Sequence, residues 1–192
     1  MTKTGKDAKL DMFVVVEETA DLLDKNRRLY EEASHDIVTL FHEALKESEE
    51  TSVIDFKHRV KSRNSLKEKI IRRELYKQSS NPAAILANIS DVIGVMAECK
   101  FNDDEVKLYT RLREDFFLIT EDELFYDPAI PNLFLYLGDP QPQVLKNGQE
   151  AYKIDGIYMK EGKKFRFELQ IRSMVNAFWS EIEHELIYKN NI

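Results

Sequence analysis

The chain has 192 residues and a mass of 22.5 kDa, with 43% apolar and 33% charged residues. This apolar content is enough for a hydrophobic core, which excludes an intrinsically disordered chain. The longest clearly apolar run, 13–16, is far shorter than the ~20 residues that span a bilayer. The amino terminus lacks a signal-peptide core, and a single cysteine, Cys99, excludes an internal disulfide. We therefore expect a cytoplasmic protein without membrane contact.

Basic residues are concentrated in one segment of an acidic chain. The formal net charge is -7, which argues against bulk binding of nucleic acid. Residues 57–77 nevertheless contain nine Lys or Arg against two Glu, a charge of +7 that leaves -14 for the remainder. Such an island suggests a small polyanion, for example a nucleotide polyphosphate. A solvated helix face that balances acidic neighbours is the alternative.

The first part of the chain has the apolar spacing of helices. Apolar residues recur every three or four positions over 8–47, with a break near 24–28 that could divide the segment into two helices. We expect a polar loop at 47–52 and another helix over 64–76, which the sequence at 79–82 would end.

The middle of the chain contains a short apolar run and an irregular region. The run at 89–101 predicts a buried strand, and 103–116 returns to helical spacing. Residues 120–148 hold four of the five prolines, so we expect the active-site loop there.

The last part of the chain predicts a hairpin and a helix. Strands are expected over 152–159 and 164–172, joined by a turn at 161–163, because apolar and polar residues alternate in the second strand. A final helix over 174–188 is predicted to bury Val175, Phe178, Trp179, Ile182 and Leu186. The fold class is therefore α+β, a mixed β-sheet flanked by helices, with a helical portion over 1–52 packed on a domain at 53–192.

Four polar residues in the basic segment point to phosphate binding. They are Arg59, Lys61, Ser65 and Lys69. If this stretch is helical, Lys61, Ser65 and Lys69 lie on one face at steps of four. Two ammonium groups and a hydroxyl near a helix start are suited to grip a triphosphate. The sequence has neither GxGxxG nor GxxxxGK[ST], which excludes the common nucleotide-binding loops.

Carboxylates occur at two further positions. Asp91 stands at the entry to a predicted buried strand, where a charge is costly unless it is exposed, paired or bound to a cation. A strand or helix cap is the alternative. Glu168 lies on the polar face formed by Arg166, Glu168, Gln170 and Arg172. This face can be a structural ion-pair ladder, or a base beside arginines that bind anions.

Four blocks together resemble the RelA/SpoT-type (p)ppGpp synthetases, particularly the small stand-alone alarmone synthetases. Residues 59–69 are similar to the family's R-x-K-x-x-x-S-I-x-x-K stretch, and 91–95 to its D-[LIV]-[IV]-[GA]-[IV] strand. Residues 168–173 resemble E-[LIV]-Q-I-R-T, and 178–189 resemble the F-W-A-x-[LI]-E-H-x-L-x-Y-K block. The blocks occur in the family's order with compatible spacing.

The resemblance implies a nucleotidyltransferase-like fold and a Mg²⁺-dependent reaction. The β,γ-pyrophosphate of ATP would pass to the ribose 3′-OH of GDP or GTP, with release of AMP. Asp91 would hold Mg²⁺, and Glu168 would be a second metal ligand or the base for the 3′-OH. The ATP-binding residues would be Arg59, Lys61, Ser65 and Lys69, and Gln170 and Arg172 would support the site. The resemblance also suggests a homo-oligomer, and the carboxyl end suggests either a domain cut from a longer protein or an unusually short member.

The acceptor half departs from the family pattern. Lys146, Asn147 and Gly148 match, but Gln149 replaces the tyrosine that stacks on the acceptor guanine, and Lys153 replaces a histidine. Tyr152 could serve from a shifted register. Two alternatives therefore stay open: the same donor chemistry with an adenine nucleotide or RNA 3′ end as acceptor, and a catalytically silent regulatory domain that binds nucleotide.

Overall fold

The structure is a computed structural model that describes residues 5–45, 53–144, 150–178 and 182. The helices are α1 (Gly5–Leu45), α2 (Arg63–Arg72), α3 (Leu75–Gln78), α4 (Pro82–Asn88) and α5 (Asn102–Asp115). The strands are β1 (Val53–Val60), β2 (Ile93–Cys99), β3 (Leu118–Ile119), β4 (Phe125–Tyr126), β5 (Leu133–Leu135), β6 (Gln143–Val144), β7 (Glu150–Lys160) and β8 (Lys163–Ser173). A 3-10 turn, Ser90–Val92, precedes β2, and residues 174–178 are helical.

One mixed sheet organises the molecule. Its strand order is β1-β2-β8-β7-β5-β4-β3, and β6 pairs with β7 outside this path. The pair β2 and β8 is parallel, whereas β1 with β2 and β7 with β8 are antiparallel. The predicted α+β fold class, with a mixed sheet and a helical amino-terminal segment, is confirmed. No helix among the described residues is long and apolar enough to cross a membrane.

The predicted break in the first helix is wrong, because α1 runs continuously from Gly5 to Leu45. Polar side chains at this point form helix-compatible contacts. Arg27 pairs with Asp24 at 2.9 Å, and Asn26 donates to the Leu22 carbonyl at 2.8 Å. The interruption of the apolar stripe thus marks a change of packing partner rather than a helix end, and the segment contains neither Gly nor Pro.

The helix α1 shares one core with the sheet. Phe41 is fully buried and stacks on Phe56 of β1, with ring centroids 5.8 Å apart. Tyr30 meets the ring of Phe165 edge-on at 5.4 Å. Burial of these rings fixes α1 across one face of the sheet and leaves the other face available for polar chemistry.

Arg63 links α1 to α2 through three carboxylates. Its guanidinium lies 2.7 Å from Glu17, 2.6 Å from Asp21 and 2.8 Å from Asp24. Hydrogen bonds from Lys67 and Arg63 hold the pKa of Glu17 below its ordinary value of 4.5, and Arg63 and Arg27 lower the pKa of Asp24 below 3.8. Carboxylates whose pKa is lowered by folding stabilise the fold above their ordinary pKa and lose that contribution as pH falls through the folded value.

We therefore expect Arg63→Met to lower the urea midpoint of unfolding at pH 7, and the difference from wild type to vanish at pH well below 4. Arg28→Met is the matched control, because Arg28 is 92% exposed and pairs only with Glu32 among the described residues. A deficit of Arg63→Met that persists undiminished in acid would contradict the ion-pair explanation.

The region after β1 contains more helices than the sequence predicts. The expected single helix over 64–76 divides into α2 and α3, because Glu74 adopts a left-handed backbone with φ of 53°. The sequence at 79–82 ends α3 and also begins α4, since Asn81 accepts a hydrogen bond from the Ala83 N–H at 2.9 Å and Pro82 takes the first helical position.

Strand β8 follows its predicted alternation. Phe165, Phe167, Leu169 and Ile171 are at most 3% exposed, and the polar residues between them are half-buried. The predicted turn is also found: Gly162 has φ of 74°, and Glu161 also has positive φ. The irregular region over 120–148 contains the short strands β4 to β6, and the predicted strand over 89–101 is confined to β2 after the 3-10 turn.

The predicted burial of the last helix is wrong at its start. Val175 and Phe178 are 40% and 61% exposed, and Ile182 is partly exposed. Polar contacts direct Asn176, rather than Val175 or Phe178, toward the interior. Asn176 donates to the buried Glu105 carboxylate at 2.9 Å, and Glu105 also accepts the Ser173 N–H. Trp179 and Leu186 lie outside the described residues.

Gly156 of β7 is required by the packing of the hairpin. It pairs with Phe167 of β8, and the buried Phe167 ring occupies the space where a Cβ would project. We expect Gly156→Ala to lower the free energy of unfolding by about 1–3 kcal/mol, because overpacking displaces the ring. Urea unfolding measures this loss. Gly138→Ala is the control, since no atom lies within 4 Å of its Cβ position, and equal stability of the two variants would refute the packing argument.

Candidate functional site

Residues from four strands line up on the face of the sheet opposite the apolar residues of β8, and those of β1, β8 and β7 are polar. One row across the register consists of Arg59, Gly94, Glu168 and Asp155. The next row consists of Lys57, Met96, Gln170 and Lys153. Because side chains on neighbouring strands in one row project to the same face, four separate segments of the chain meet here.

An open cavity of about 510 Å³ lies over these rows and beside the end of α2. Six of the predicted site residues line it: Arg59, Lys69, Asp91, Glu168, Gln170 and Arg172. The cavity volume falls in the usual range for small-molecule sites. Cations outnumber the carboxylates in its lining, since Lys57, Arg72, Arg73 and Lys153 also contribute. The site is therefore suited to a polyanionic ligand.

Asp91 lies between two lysines. Its Oδ2 is 2.8 Å from the Lys61 ammonium, and its Oδ1 is 2.7 Å from the Lys69 ammonium. The side chains of Asp91, Lys61 and Lys69 are 24%, 14% and 17% exposed. Burial alone would raise the pKa of Asp91, but its contacts with the charged Lys61 and Lys69 outweigh burial and hold the pKa below its ordinary value of 3.8.

The backbone fixes this cluster from both sides. Lys61 follows β1, and its N–H donates to the carbonyl of Val92 at 2.8 Å, which ties the strand end to the turn that carries Asp91. Lys69 lies in α2, a helix anchored by the fully buried Leu66 and Ile70. The two lysines predicted to share a helix face thus do converge, although Lys61 precedes the helix.

Glu168 occupies the centre of the polar face. Its Oε1 accepts a hydrogen bond from the Gln170 amide two residues along the strand. Arg166 of the same face reaches the carbonyl of Asn88 at 3.4 Å, and the Arg172 guanidinium donates to the carbonyl of Asn176 at 3.1 Å. This arrangement leaves the Glu168 carboxylate directed at the cavity, beside the cations of β1 and α2.

Sequence reasoning noted Lys153 only as a departure from the family pattern, and it missed Asp155. Strand β7 brings these two residues opposite Gln170 and Glu168. Burial raises the pKa of Asp155, a hydrogen bond with Ser90 opposes this rise, and the charge of Glu168 adds to it. The Gln141 side chain holds the backbone of Lys153, accepting from its N–H at 3.0 Å and donating to its carbonyl at 2.7 Å. The alternation of apolar and polar residues along the predicted strand over 152–159 could have placed both residues on the polar face of the sheet.

Three predicted residues do not line the cavity, and the first of them, Lys61, reaches it only through its ion pair with the lining residue Asp91. The Ser65 N–H donates to the Ser62 hydroxyl at 3.2 Å at the start of α2, where Ser62 is the cap. Tyr152 is 7% exposed and packs in the core, with its ring centroid 5.1 Å from that of Tyr109. Lys146, Asn147 and Gly148 lie outside the described residues.

The two acidic side chains of the cavity suit a hard divalent cation. Mg²⁺ is commonly bound by one or two carboxylates together with substrate phosphates and water, which is the donor set that Asp91 and Glu168 offer. The described part of the chain contains no group of three or more His, Cys, Asp or Glu residues that could hold a metal ion. The fit is therefore to a cation completed by a ligand rather than to a closed protein cage.

Comparisons with solved structures show the same fold. The small alarmone synthetase 1 from Bacillus subtilis bound to pppGpp matches with a TM-score of 0.58 and 20% identity, over 92% of this chain and 84% of that one. A GTP pyrophosphokinase family protein from Streptococcus pneumoniae matches with a TM-score of 0.60 and 21% identity, over 88% and 76% of the two chains. The small alarmone synthetase 2 from Bacillus subtilis gives 0.57 and 21%, over 87% and 81%.

Sequence comparison gives the family. A search of curated proteins finds no match. A family model described as the region found in RelA / SpoT proteins matches residues 58–192, which include the cavity-lining segments of β1, α2, β2, β7 and β8. The chain belongs to the RelA/SpoT family.

Proposed function

We propose that the protein is a (p)ppGpp synthetase that transfers the β,γ-pyrophosphate of ATP to the ribose 3′-OH of GDP or GTP and releases AMP. The observation that carries this proposal is that lysine and arginine side chains line one cavity together with the carboxylates of Asp91 and Glu168. These residues come from the three blocks, 59–69, 91–95 and 168–173, that resemble the family's synthetase motifs. Membership of the RelA/SpoT family supports the same reaction.

ATP would lie against β1 and α2. Arg59, Lys61 and Lys69 provide positive charge for its phosphates, and Arg72 and Arg73 extend that charge to the end of α2. Pyrophosphoryl transfer depends mainly on positioning and on neutralising the charge of the transferred group. Guanidinium and ammonium groups held by β1, by α2 and by the residues next to them meet both needs, because these elements fix where the charges lie.

In the proposed step the 3′-oxygen of the acceptor forms a bond to the β-phosphorus of ATP. The bond between that phosphorus and the α,β-bridging oxygen breaks, and the oxygen leaves with AMP. Glu168 is the group suited to take the proton of the 3′-OH, because its carboxylate lies in the cavity between the cations of β1 and the strand β7. Gln170 orients that carboxylate through its hydrogen bond.

Asp91 and Glu168 would hold Mg²⁺ together with the phosphates. When bound, the cation supplies neutralisation of the developing charge on the transferred group. Arg172 lines the cavity from the same strand as Glu168 and would support the site on the acceptor side.

A panel of acceptors tests the proposal. The protein is incubated with Mg²⁺ and γ-labelled ATP, and separately with GDP, GTP, GMP or ATP as acceptor, and products are resolved by chromatography. Labelled guanosine tetra- or pentaphosphate with matching AMP is the expected result. Binding of ATP without product from any acceptor would instead identify a silent regulatory domain.

A second candidate keeps the donor chemistry and uses another acceptor, an adenine nucleotide or an RNA 3′ end. Its support is the burial of Tyr152, which leaves no tyrosine of β7 next to Gln170 in the cavity, where Lys153 lies instead. Product from ATP or from an RNA oligonucleotide, and none from guanine nucleotides, would favour this candidate.

A further inference from the structure

We propose that Lys61 and Lys69 make the metal site selective for a metal–nucleotide complex over the free metal ion. In the free protein the two lysines neutralise Asp91. A divalent cation would gain this carboxylate only when the phosphates of a nucleotide provide the lysines with other partners. The inference rests on the proposed function, and it assigns the two lysines a role in excluding free metal in addition to phosphate binding.

The geometry supports this role because both carboxylate oxygens are engaged. Lys61 donates a hydrogen bond to Oδ2 at 2.8 Å, and the Lys69 ammonium lies 2.7 Å from Oδ1, so a cation that coordinates either oxygen meets a positive charge beside it. The lysines are held by different parts of the fold, one just after the end of β1 and one within α2. All three side chains are at least three-quarters buried, which limits screening by water and salt.

A free cation at Asp91 would meet two positive charges within a few ångströms. Displacement of either lysine into a cavity already rich in Lys and Arg would leave that ammonium without a counter-charge. A triphosphate removes both obstacles, because its oxygens accept hydrogen bonds from the lysines and also coordinate the cation. Metal and nucleotide are therefore expected to favour each other's binding, and this coupling is reciprocal by linkage.

Lys67 offers a matched control on the same helix. It also forms an ion pair, but its partner is Glu17 of α1 rather than Asp91. Its side chain is 29% exposed, and it does not line the cavity. Replacing Lys67 removes the same charge from α2 without freeing the Asp91 carboxylate.

The test is direct binding of Mn²⁺, followed by electron paramagnetic resonance, to the full chain without nucleotide. Wild type is compared with Lys61→Met, Lys69→Met, the double variant and Lys67→Met. We expect each site variant to bind Mn²⁺ about tenfold more tightly than wild type, the double variant to bind more tightly still, and Lys67→Met to match wild type. Adding Asp91→Asn to the double variant should abolish the increase in Mn²⁺ affinity.

A second arm measures the affinity of wild type for a non-hydrolysable ATP analogue, with and without Mn²⁺. We expect wild type to bind the ATP analogue more tightly when Mn²⁺ is present. We expect Mn²⁺ to increase this affinity less in the double variant. Equal Mn²⁺ affinity of wild type and all lysine variants would overturn the inference even in an active synthetase. Tighter Mn²⁺ binding by the site variants, in a protein that makes no product, would support the inference while the proposed function fails. Circular dichroism of each variant confirms that the fold is intact.

Discussion

Replacing Glu168 by glutamine is expected to reduce pyrophosphate transfer by about 10²–10⁴-fold, the contribution of a positioned general base, while ATP binding stays largely intact. Glutamine keeps the shape of the side chain and the oxygen that accepts the Gln170 hydrogen bond, so the local geometry of β8 is preserved. It removes the negative charge needed to take the proton of the acceptor 3′-OH and to hold a cation. The proposed ATP contacts come from β1, α2 and the residue that follows β1, whereas the substitution is on β8.

The measurement is steady-state AMP release together with ATP affinity by calorimetry. Glu114→Gln is a suitable control, since Glu114 is exposed on α5 and does not line the cavity. Near-normal turnover by Glu168→Gln would show that the assigned base is wrong. A loss of ATP binding as large as the loss of turnover would place Glu168 in donor binding instead.

The second large effect is expected for Lys61→Ala, which should weaken ATP binding. A charged hydrogen bond to phosphate contributes about 1.5–3 kcal/mol, which corresponds to a rise in the ATP Kd of about 10- to 160-fold. The Lys61 side chain is only 14% exposed and is held at Asp91, so little conformational freedom is lost when it meets a phosphate. Measuring the Kd both without metal and at saturating Mg²⁺ separates the lost phosphate contact from any change in the coupling between metal and nucleotide.

Lys67→Ala controls for the general loss of positive charge from this segment. Because Lys67 pairs with Glu17 outside the cavity, its removal should leave the ATP Kd nearly unchanged. Equal effects of the two substitutions would mean that the basic segment acts through its bulk field rather than through a defined phosphate contact.

The spacing of residue types along the sequence predicted those parts of the site that a single strand or helix forms. The polar face of β8 could be read from alternation, because a strand side chain repeats every two residues whatever its partners are. The convergence of Lys61 and Lys69 was also predicted, although the reason was different. The two lysines meet at Asp91 because β1 ends beside the turn before β2, and not because they share a helix face.

The parts of the site that the sequence could not predict depend on pairing between strands that lie far apart in the chain. The parallel pairing of β2 with β8 joins residues more than 70 positions apart, and it sets Gly94 beside Glu168. The β7–β8 register in turn places Lys153 and Asp155 on the cavity face. The exposure of Val175 and Phe178 has a similar origin, because the buried Glu105 of α5 fixes which side of the final segment turns inward.

The residue types alone also could not show which charged side chains of the site pair with one another. The sequence left Asp91 as exposed, paired, a cation ligand or a cap, and it is found paired with both lysines that were assigned to phosphate. A basic cluster and an acidic residue that lie far apart in sequence give no indication that they neutralise one another. The pairing became visible only once the end of β1, α2 and the 3-10 turn were brought together.

The most direct test of the proposed activity is the product balance with ATP and GDP in the presence of Mg²⁺. Nucleotides are separated and quantified over time for wild type and for Glu168→Gln. The proposed reaction predicts guanosine tetraphosphate and AMP in equal amounts, with no ADP, and formation of both that depends on GDP and on Glu168. Formation of ADP and phosphate, or no nucleotide product from a protein that binds ATP, would contradict it.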